Sequence, residues 1–284
     1  MSVVLLTTFV LIAFAANTLL CRMALGADLI DPMSFTALRL VSGALILIPV
    51  SRLVEEPGAS KEVKGSWGSG FALFSYAATY SLAYVSLNTG MGALILFGAV
   101  QVTMIAAAMK SGDRLSSRQW GGTFAALGGL IYLVFPGISA PDPIGAFLMS
   151  VAGIAWGVYS IRGKGVLAPV AMTSGNFSRS ALFAIAAAAF ALSTYRFSAA
   201  GILLALTSGI VTSGLGYVLW YRALRYLSTT QASVVQLLVP VLAAFAGVVF
   251  LAEQLSARLI LASALILGGV ALAVVKRRAP SGRS

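Results

Sequence analysis

The chain is a succession of long apolar runs separated by short polar connections. The runs fall at about 3–21, 33–51, 67–87, 91–109, 119–136, 143–161, 172–193, 201–221, 231–251 and 257–275. Each approaches the ~20 residues an α-helix needs to cross about 30 Å of hydrocarbon. They are too long for barrel strands and do not alternate polar with apolar positions. The pattern predicts an all-α membrane protein with ten transmembrane helices. The longest connection, from Arg52 to Ser66, holds Glu55, Glu56, Pro57, Gly58, Lys61, Glu62 and Lys64 and reads as a solvated loop. Asn88-Thr89-Gly90 and Ser228-Thr229-Thr230 read as tight turns whose side chains cap the following helix. Met1–Cys21 has no Lys or Arg ahead of a long apolar run, so it reads as the first spanning helix rather than a signal peptide.

The runs repeat. A shift of 140 positions places Arg22 on Arg162, Arg39 on Arg179, Leu87 and Thr89 on Leu227 and Thr229, and Arg118 on Arg258. The same register places Leu127-Gly128-Gly129 on Leu267-Gly268-Gly269. Three arginine pairs and a tripeptide in one register point to two copies of a five-helix unit, 1–137 and 143–276, followed by a basic tail at 277–284. An odd helix number inserts the second copy upside down relative to the first. Inverted repeats of this kind are a transporter architecture, with the substrate site at the repeat interface near mid-membrane.

Composition agrees. Hydrophobic residues make up 59% of the 284-residue chain and charged residues 10%, against about a quarter charged in a soluble domain. The net charge of +11 does not point to nucleic acid, because its sources lie in loops and the tail. With both termini placed in the cytoplasm, fourteen Lys and Arg fall inside, among them Arg52, Lys110, Arg162 and Arg222. Only Arg22, Arg196 and Arg258 fall outside, the positive-inside bias expected of a multi-pass membrane protein with cytoplasmic termini. One cysteine, Cys21, rules out a disulfide framework, and the chain has no histidine.

The run from Tyr221 to Ser233, then Leu238-Val239-Pro240, Phe250-Leu251-Ala252-Glu253-Gln254-Leu255-Ser256 and Leu267-Gly268-Gly269 resemble the drug/metabolite transporter superfamily, EamA type. Members share a short loop, a helix with a mid-membrane proline, a Gly-Glu or Ala-Glu corner and a glycine-rich last helix. The likeness spans nearly the whole chain, and within the family is nearest the bacterial exporters of aromatic and other amino acids. It implies that helices 1–4 and 6–9 enclose a cavity, with 5 and 10 peripheral, and that Pro240 kinks its helix. The first half departs from the pattern, with Val100 in the place of Pro240 and Asp113 in the place of Glu253.

Candidate pathway residues follow from polarity within the spans. Tyr76, Tyr80, Tyr84 and Asn88 form a stripe at i+4 spacing. Tyr217, Trp220 and Tyr221 lie on helix 8, and Trp156 and Tyr159 on helix 6. An interfacial aromatic belt accounts for Tyr84, Tyr221 and Tyr226. It accounts less well for the deeper Tyr80, Trp156 and Trp220, because a phenol in hydrocarbon needs a partner for its O–H. The amides Asn17, Gln101 and Gln236 serve either as interhelical glue worth about 1 kcal/mol or as lining of a polar pathway. Arg39 and Arg179 are the only charges well inside spans. Snorkelling to a headgroup is the favoured reading, attraction of a substrate carboxylate the other. Dense small residues in helix 5 (Gly121, Gly122, Gly128, Gly129) and helix 10 (Ala262, Gly268, Gly269) permit close packing, within the chain or between two copies.

These features predict a facilitative exporter of amino acids or related metabolites, working by alternating access as a monomer or dimer in the bilayer, without cofactor or metal. The alternative is drug or metabolite efflux by proton antiport, which the lack of an acid deep in a span disfavours. The absence of His and of any deep acid–base pair argues against an intramembrane enzyme, and no phosphate-binding loop points to ATP. A passive scaffold has no need of two opposed halves. A reporter active only in the periplasm, fused after Ser284, is expected to be silent; a bright signal overturns the assignment of sides.

Overall fold

The computed structural model describes residues 3–54, 65–110, 117–135, 140–163, 166, 168–190, 196–224, 226, 235–236 and 238–274. Among these, helices occupy all ten apolar runs. They are α1 (Val3–Gly26), α2 (Pro32–Leu53), α3 (Trp67–Ala83), α4 (Thr89–Lys110), α5 (Ser117–Val134), α6 (Pro143–Gly163) and α7 (Pro169–Phe190). α8 runs from Ala199–Thr207 through a π-helical stretch, Ser208–Leu215, into Gly216–Leu224. α9 (Leu238–Leu251) and α10 (Ala257–Val274) complete the set. The only pairing of extended backbone among the described residues is an isolated antiparallel bridge, Ile30 to Phe197.

Local chemistry sets the starts of these helices. Asp31 accepts the Ser34 N–H at 2.9 Å ahead of Pro32, which tolerates the first helical turn because its missing N–H is not needed there. Ser66, Ser198 and Ser256 cap α3, α8 and α10 in the same way. Asp142 caps α6 at Gly145. α1 continues past Cys21 to Gly26, which takes Arg22 into the helix, and α3 stops at Ala83, short of the hydropathy boundary. The loop at 55–64, Asp113, Thr229 and the tail at 277–284 lie outside the described residues. Pro240 sits in the first described turn of α9, so the kink expected there falls at the edge of what the structure describes.

The burial pattern is that of a soluble protein turned inside out. Phe9, Leu45, Phe147, Leu203 and Phe245 are exposed, while Asn17, Thr18, Arg39, Asn176, Ser208 and Thr212 are buried. A surface of this kind suits lipid, and the polar groups find partners inside.

The most extensive helix contacts form matched pairs. α3 packs on α6 as α8 packs on α1, α4 on α6 as α9 on α1, and α3 on α7 as α8 on α2. α2 packs on α7 and α5 on α10. Exchanging each of α1–α5 for its counterpart in α6–α10 maps this set onto itself, as a five-plus-five repeat requires.

The small residues of α5 and α10 are used within the chain. A Cβ at Gly269 would stand 2.6 Å from the Gly122 carbonyl and from the Ala126 nitrogen, both backbone atoms that cannot move aside. Gly268, next to it, faces open space. Gly269→Ala is therefore expected to cost about 1–3 kcal/mol and to lower the melting temperature in detergent, while Gly268→Ala leaves it unchanged or raises it. Equal behaviour of the two variants would contradict this packing.

Candidate functional site

Five helices converge on one small cavity. Phe14, Asn17 and Thr18 of α1 line it, with Tyr76 and Tyr80 of α3, Leu96 and Phe97 of α4, Trp156 of α6, and Thr212 and Tyr217 of α8. Its volume is about 20 Å³, room for one water molecule and far less than a metabolite occupies. The wall is aromatic on one side. Trp156 lies 5.0 Å from both Tyr76 and Tyr217, and Tyr76 lies 5.2 Å from Tyr80, between ring centroids.

The other side is polar, and the π-helical stretch of α8 makes it so. An α-helix advances 100° per residue, which would leave Ser213 about 140° around the axis from Ser208. The wider i→i+5 winding returns Ser213 toward the face that carries Ser208 and Thr212. All three hydroxyls reach the Asn17 carbonyl oxygen, at 2.7, 2.9 and 3.5 Å. Gly209 permits this, because a Cβ there would run into Ser42 Oγ and the Arg39 carbonyl of α2.

Arg39 stands behind the tyrosines. It is 1% exposed, which corrects the snorkelling expectation. The side chain turns inward, where Nε donates to Ser213 Oγ at 3.0 Å and Nη2 to the Tyr76 hydroxyl at 3.3 Å. Its guanidinium carbon lies 5.4 Å from the ring centroids of both Tyr76 and Tyr80, within cation–π range. Nη1 is buried with no hydrogen-bond partner. No carboxylate pairs with Arg39 among the described residues; the acids of the two ion pairs, Glu253 and Asp28, bind Arg22 and Arg196.

The other candidates separate into groups. Tyr159 and Trp220 are buried beside the lining, 5.6 Å from Trp156 and 5.9 Å from Phe14. Gln101 and Gln236 are buried but do not line the cavity. Arg179 matches Arg39 in sequence but not in surroundings: it is half-buried on α7, donates to the Gly175 carbonyl at 2.9 Å and lies over Trp67. Tyr84 is not in an interfacial belt. It is fully buried, packs 4.7 Å from Tyr80 and donates to the Thr89 carbonyl at 3.3 Å. The Tyr221 side chain lies outside the described residues.

One end of the bundle is tied shut. Glu253, just past α9, reaches the start of α4. Its two oxygens accept the Thr89 N–H at 3.0 and 2.9 Å, and Oε1 also accepts the Thr89 hydroxyl at 3.0 Å. The expected cap from the local Asn88-Thr89 turn is thus supplied from another helix, where a carboxylate also complements the helix dipole. Arg22 closes the cluster: Nε lies 3.5 Å from Glu253 Oε1, and Nη1 donates to the Tyr84 and Val85 carbonyls at 3.0 and 2.9 Å. The aim of Glu253 depends on Ala252, held at φ 52°, a left-handed conformation that costs an alanine about 1–2 kcal/mol. Arg162, which matches Arg22, donates instead to Ser69 and Ser66 at the start of α3.

Residues 143–275 match the EamA-like transporter family. An uncharacterized protein of Pseudomonas aeruginosa is 47% identical over 98% of this chain and 96% of its own. An uncharacterized transporter of Archaeoglobus fulgidus is 28% identical over 73% of this chain and 75% of its own. The chain belongs to the EamA-like transporter family. A solved crystal structure, 22% identical, superposes with a TM-score of 0.63 over 94% of this chain and 97% of that one, and shares the fold.

An EamA-like chain is a multi-pass membrane transporter of small molecules, and the cavity is the place in this one where polar groups gather at the centre of an apolar bundle. Removing Asn17 strands the hydroxyl of Ser208 and takes one partner each from Thr212, which keeps the Ser208 carbonyl at 2.9 Å, and Ser213, which keeps Arg39. Asn17→Ala is expected to destabilise the protein by about 1–3 kcal/mol and to depress transport. Asn17→Asp, which keeps the acceptor, is expected to retain the fold. Wild-type melting in Asn17→Ala would contradict the bonding described.

Proposed function

We propose that this EamA-like protein exports amino acids, aromatic and other neutral ones, across the bacterial inner membrane by facilitative alternating access. The observation that carries the reading is the cavity itself, where aromatic faces and hydrogen-bonding groups meet at the interface of the two halves. Rings suit an apolar or aromatic side chain, and the face of Trp156 suits an ammonium group.

The cavity volume supports a closed state, with substrate admitted only when the halves separate. The cluster at Arg22, Thr89 and Glu253 then acts as a latch on one face, the outer one if both termini are cytoplasmic. The sequence repeat matches these residues with Arg162, Thr229 and Asp113, of which Arg162 alone lies among the described residues. Rocking of 1–137 against 143–276 would break this latch and open that face. The reading needs no proton: there is no histidine, and the cavity lining contains no carboxylate.

Proteoliposomes holding only a gradient of labelled phenylalanine are expected to show flux, which Trp156→Ala and Tyr80→Ala reduce at least tenfold in folded protein. An imposed pH step without membrane potential is expected to leave that flux unchanged. Uphill accumulation driven by a pH gradient alone would falsify the facilitative mechanism and make Glu253 the first residue to mutate. Thr89→Val with Glu253→Gln, which weakens the latch, is expected to raise labelling of a cysteine placed at Thr212 by an impermeant thiol reagent added outside. Unchanged labelling removes the gating role.

A further inference from the structure

The hydrogen bonds around the cavity leave a one-sided remainder. Asn17 spends its carbonyl oxygen on three hydroxyls of α8, so its NH₂ is the end left to a ligand. The Tyr76 hydroxyl accepts from Arg39 Nη2, so its proton is the part left to give. Tyr80 is already engaged, donating to Thr18 Oγ1 at 3.0 Å, and Thr18 donates to the Phe14 carbonyl. The Tyr217 hydroxyl is turned toward that of Tyr76. Arg39 adds a full positive charge, buried and without a carboxylate partner among the described residues, with Nη1 unsatisfied.

Donors in front of an uncompensated cation make a site for an anion. Hydrogen bonds from Arg39 to Ser213 and Tyr76 satisfy two of its N–H groups but cancel none of its charge, and the tyrosine faces offset it only in part. In a low-dielectric setting that charge acts across several ångströms. Donation from Arg39 also polarises the Tyr76 O–H and strengthens its own donation onward.

We propose that this cavity selects its substrate by the carboxylate. Tyr76 and Asn17 donate to the carboxylate, and Arg39 supplies the countercharge from behind Tyr76. Tyr76 and Asn17 are the binding groups; Arg39 is a positioning residue that acts through Tyr76. The inference rests on the cavity being the substrate site, and it narrows that reading: an amino acid is taken for its acid group, and its amide or decarboxylated amine is refused.

The test is competition against labelled phenylalanine counterflow in proteoliposomes of the full chain. Unlabelled phenylalanine and 3-phenylpropionate are expected to compete. Phenylalaninamide and phenethylamine are expected to compete at least tenfold more weakly. Tyr76→Phe keeps the ring and its packing; it is expected to raise KM for phenylalanine about tenfold, the scale of one charge-assisted hydrogen bond, and to narrow the difference between acid and amide. Arg39→Lys, which keeps the charge, is expected to preserve discrimination better than Arg39→Gln. If the amine and the amide compete as well as the acids while flux persists, carboxylate selection is overturned and the transport reading stands. If Tyr76→Phe leaves both KM and the acid–amide ratio unchanged, the assignment of Tyr76 and Arg39 is overturned. If wild-type protein shows no counterflow for any of the four compounds, the transport reading fails and this inference with it.

Discussion

Everything at the centre of this protein is arranged around one arginine that cannot reach water. Arg39 lies in an apolar bundle at 1% exposure, and a guanidinium in such a place cannot shed its proton to escape the cost. The surrounding structure has to solvate it. Ser213 can do so only because α8 is wound as a π-helix over Ser208–Leu215, and the glycine at 209 lets α2 come close enough for the bond. Tyr76 and Tyr80 present both their faces and, through Tyr76, a hydroxyl. Two of these helices, α3 and α8, also wall the cavity, so solvating the cation and shaping the site are one structural problem.

The tied end of the bundle obeys a second constraint. The first N–H groups of α4 need acceptors, and the one at Thr89 finds its acceptor in Glu253, a residue more than half the chain away. Ala252 is held in a left-handed turn to make this happen. A cap supplied from a distant helix has a consequence that a local cap lacks: separating α9 from α4 removes it. Closure at this end and the stability of the α4 terminus are therefore linked, and the contacts of Arg22 with the end of α3 extend the link to a third helix.

The fold was largely legible in the sequence because hydrophobic length is a strong signal and the bilayer allows few solutions. All ten runs became helices among the described residues. Of the candidate site, Asn17, Tyr76, Tyr80, Trp156 and Tyr217 line the cavity, since polar and aromatic side chains far from helix ends have nowhere else to go. The hydroxyls of α8 were missed. Ser208, Thr212 and Ser213 look unremarkable at a period of 3.6, and nothing in the chain announces a π-helical stretch apart from the glycines at 209 and 214. Arg39 was misjudged for a related reason: distance from a helix end measures how far a side chain must snorkel, but not whether its helix faces lipid. The latch left a trace, since Arg22, Thr89 and Glu253 all fall in the register of the repeat, but sequence register does not say which of them meet.

In the proposed site a substrate carboxylate settles beside the Tyr76 hydroxyl with the Arg39 guanidinium behind it. Solid-state NMR can measure this in lipid, with phenylalanine carrying ¹³C in its carboxylate, saturating protein whose arginine side chains carry ¹⁵N. Dipolar dephasing of the bound carboxylate by a guanidinium nitrogen is expected, with its loss when Arg39 is replaced by lysine. A bound carboxylate that shows no dephasing in the native protein, or the same dephasing in the Arg39→Lys variant, would contradict it.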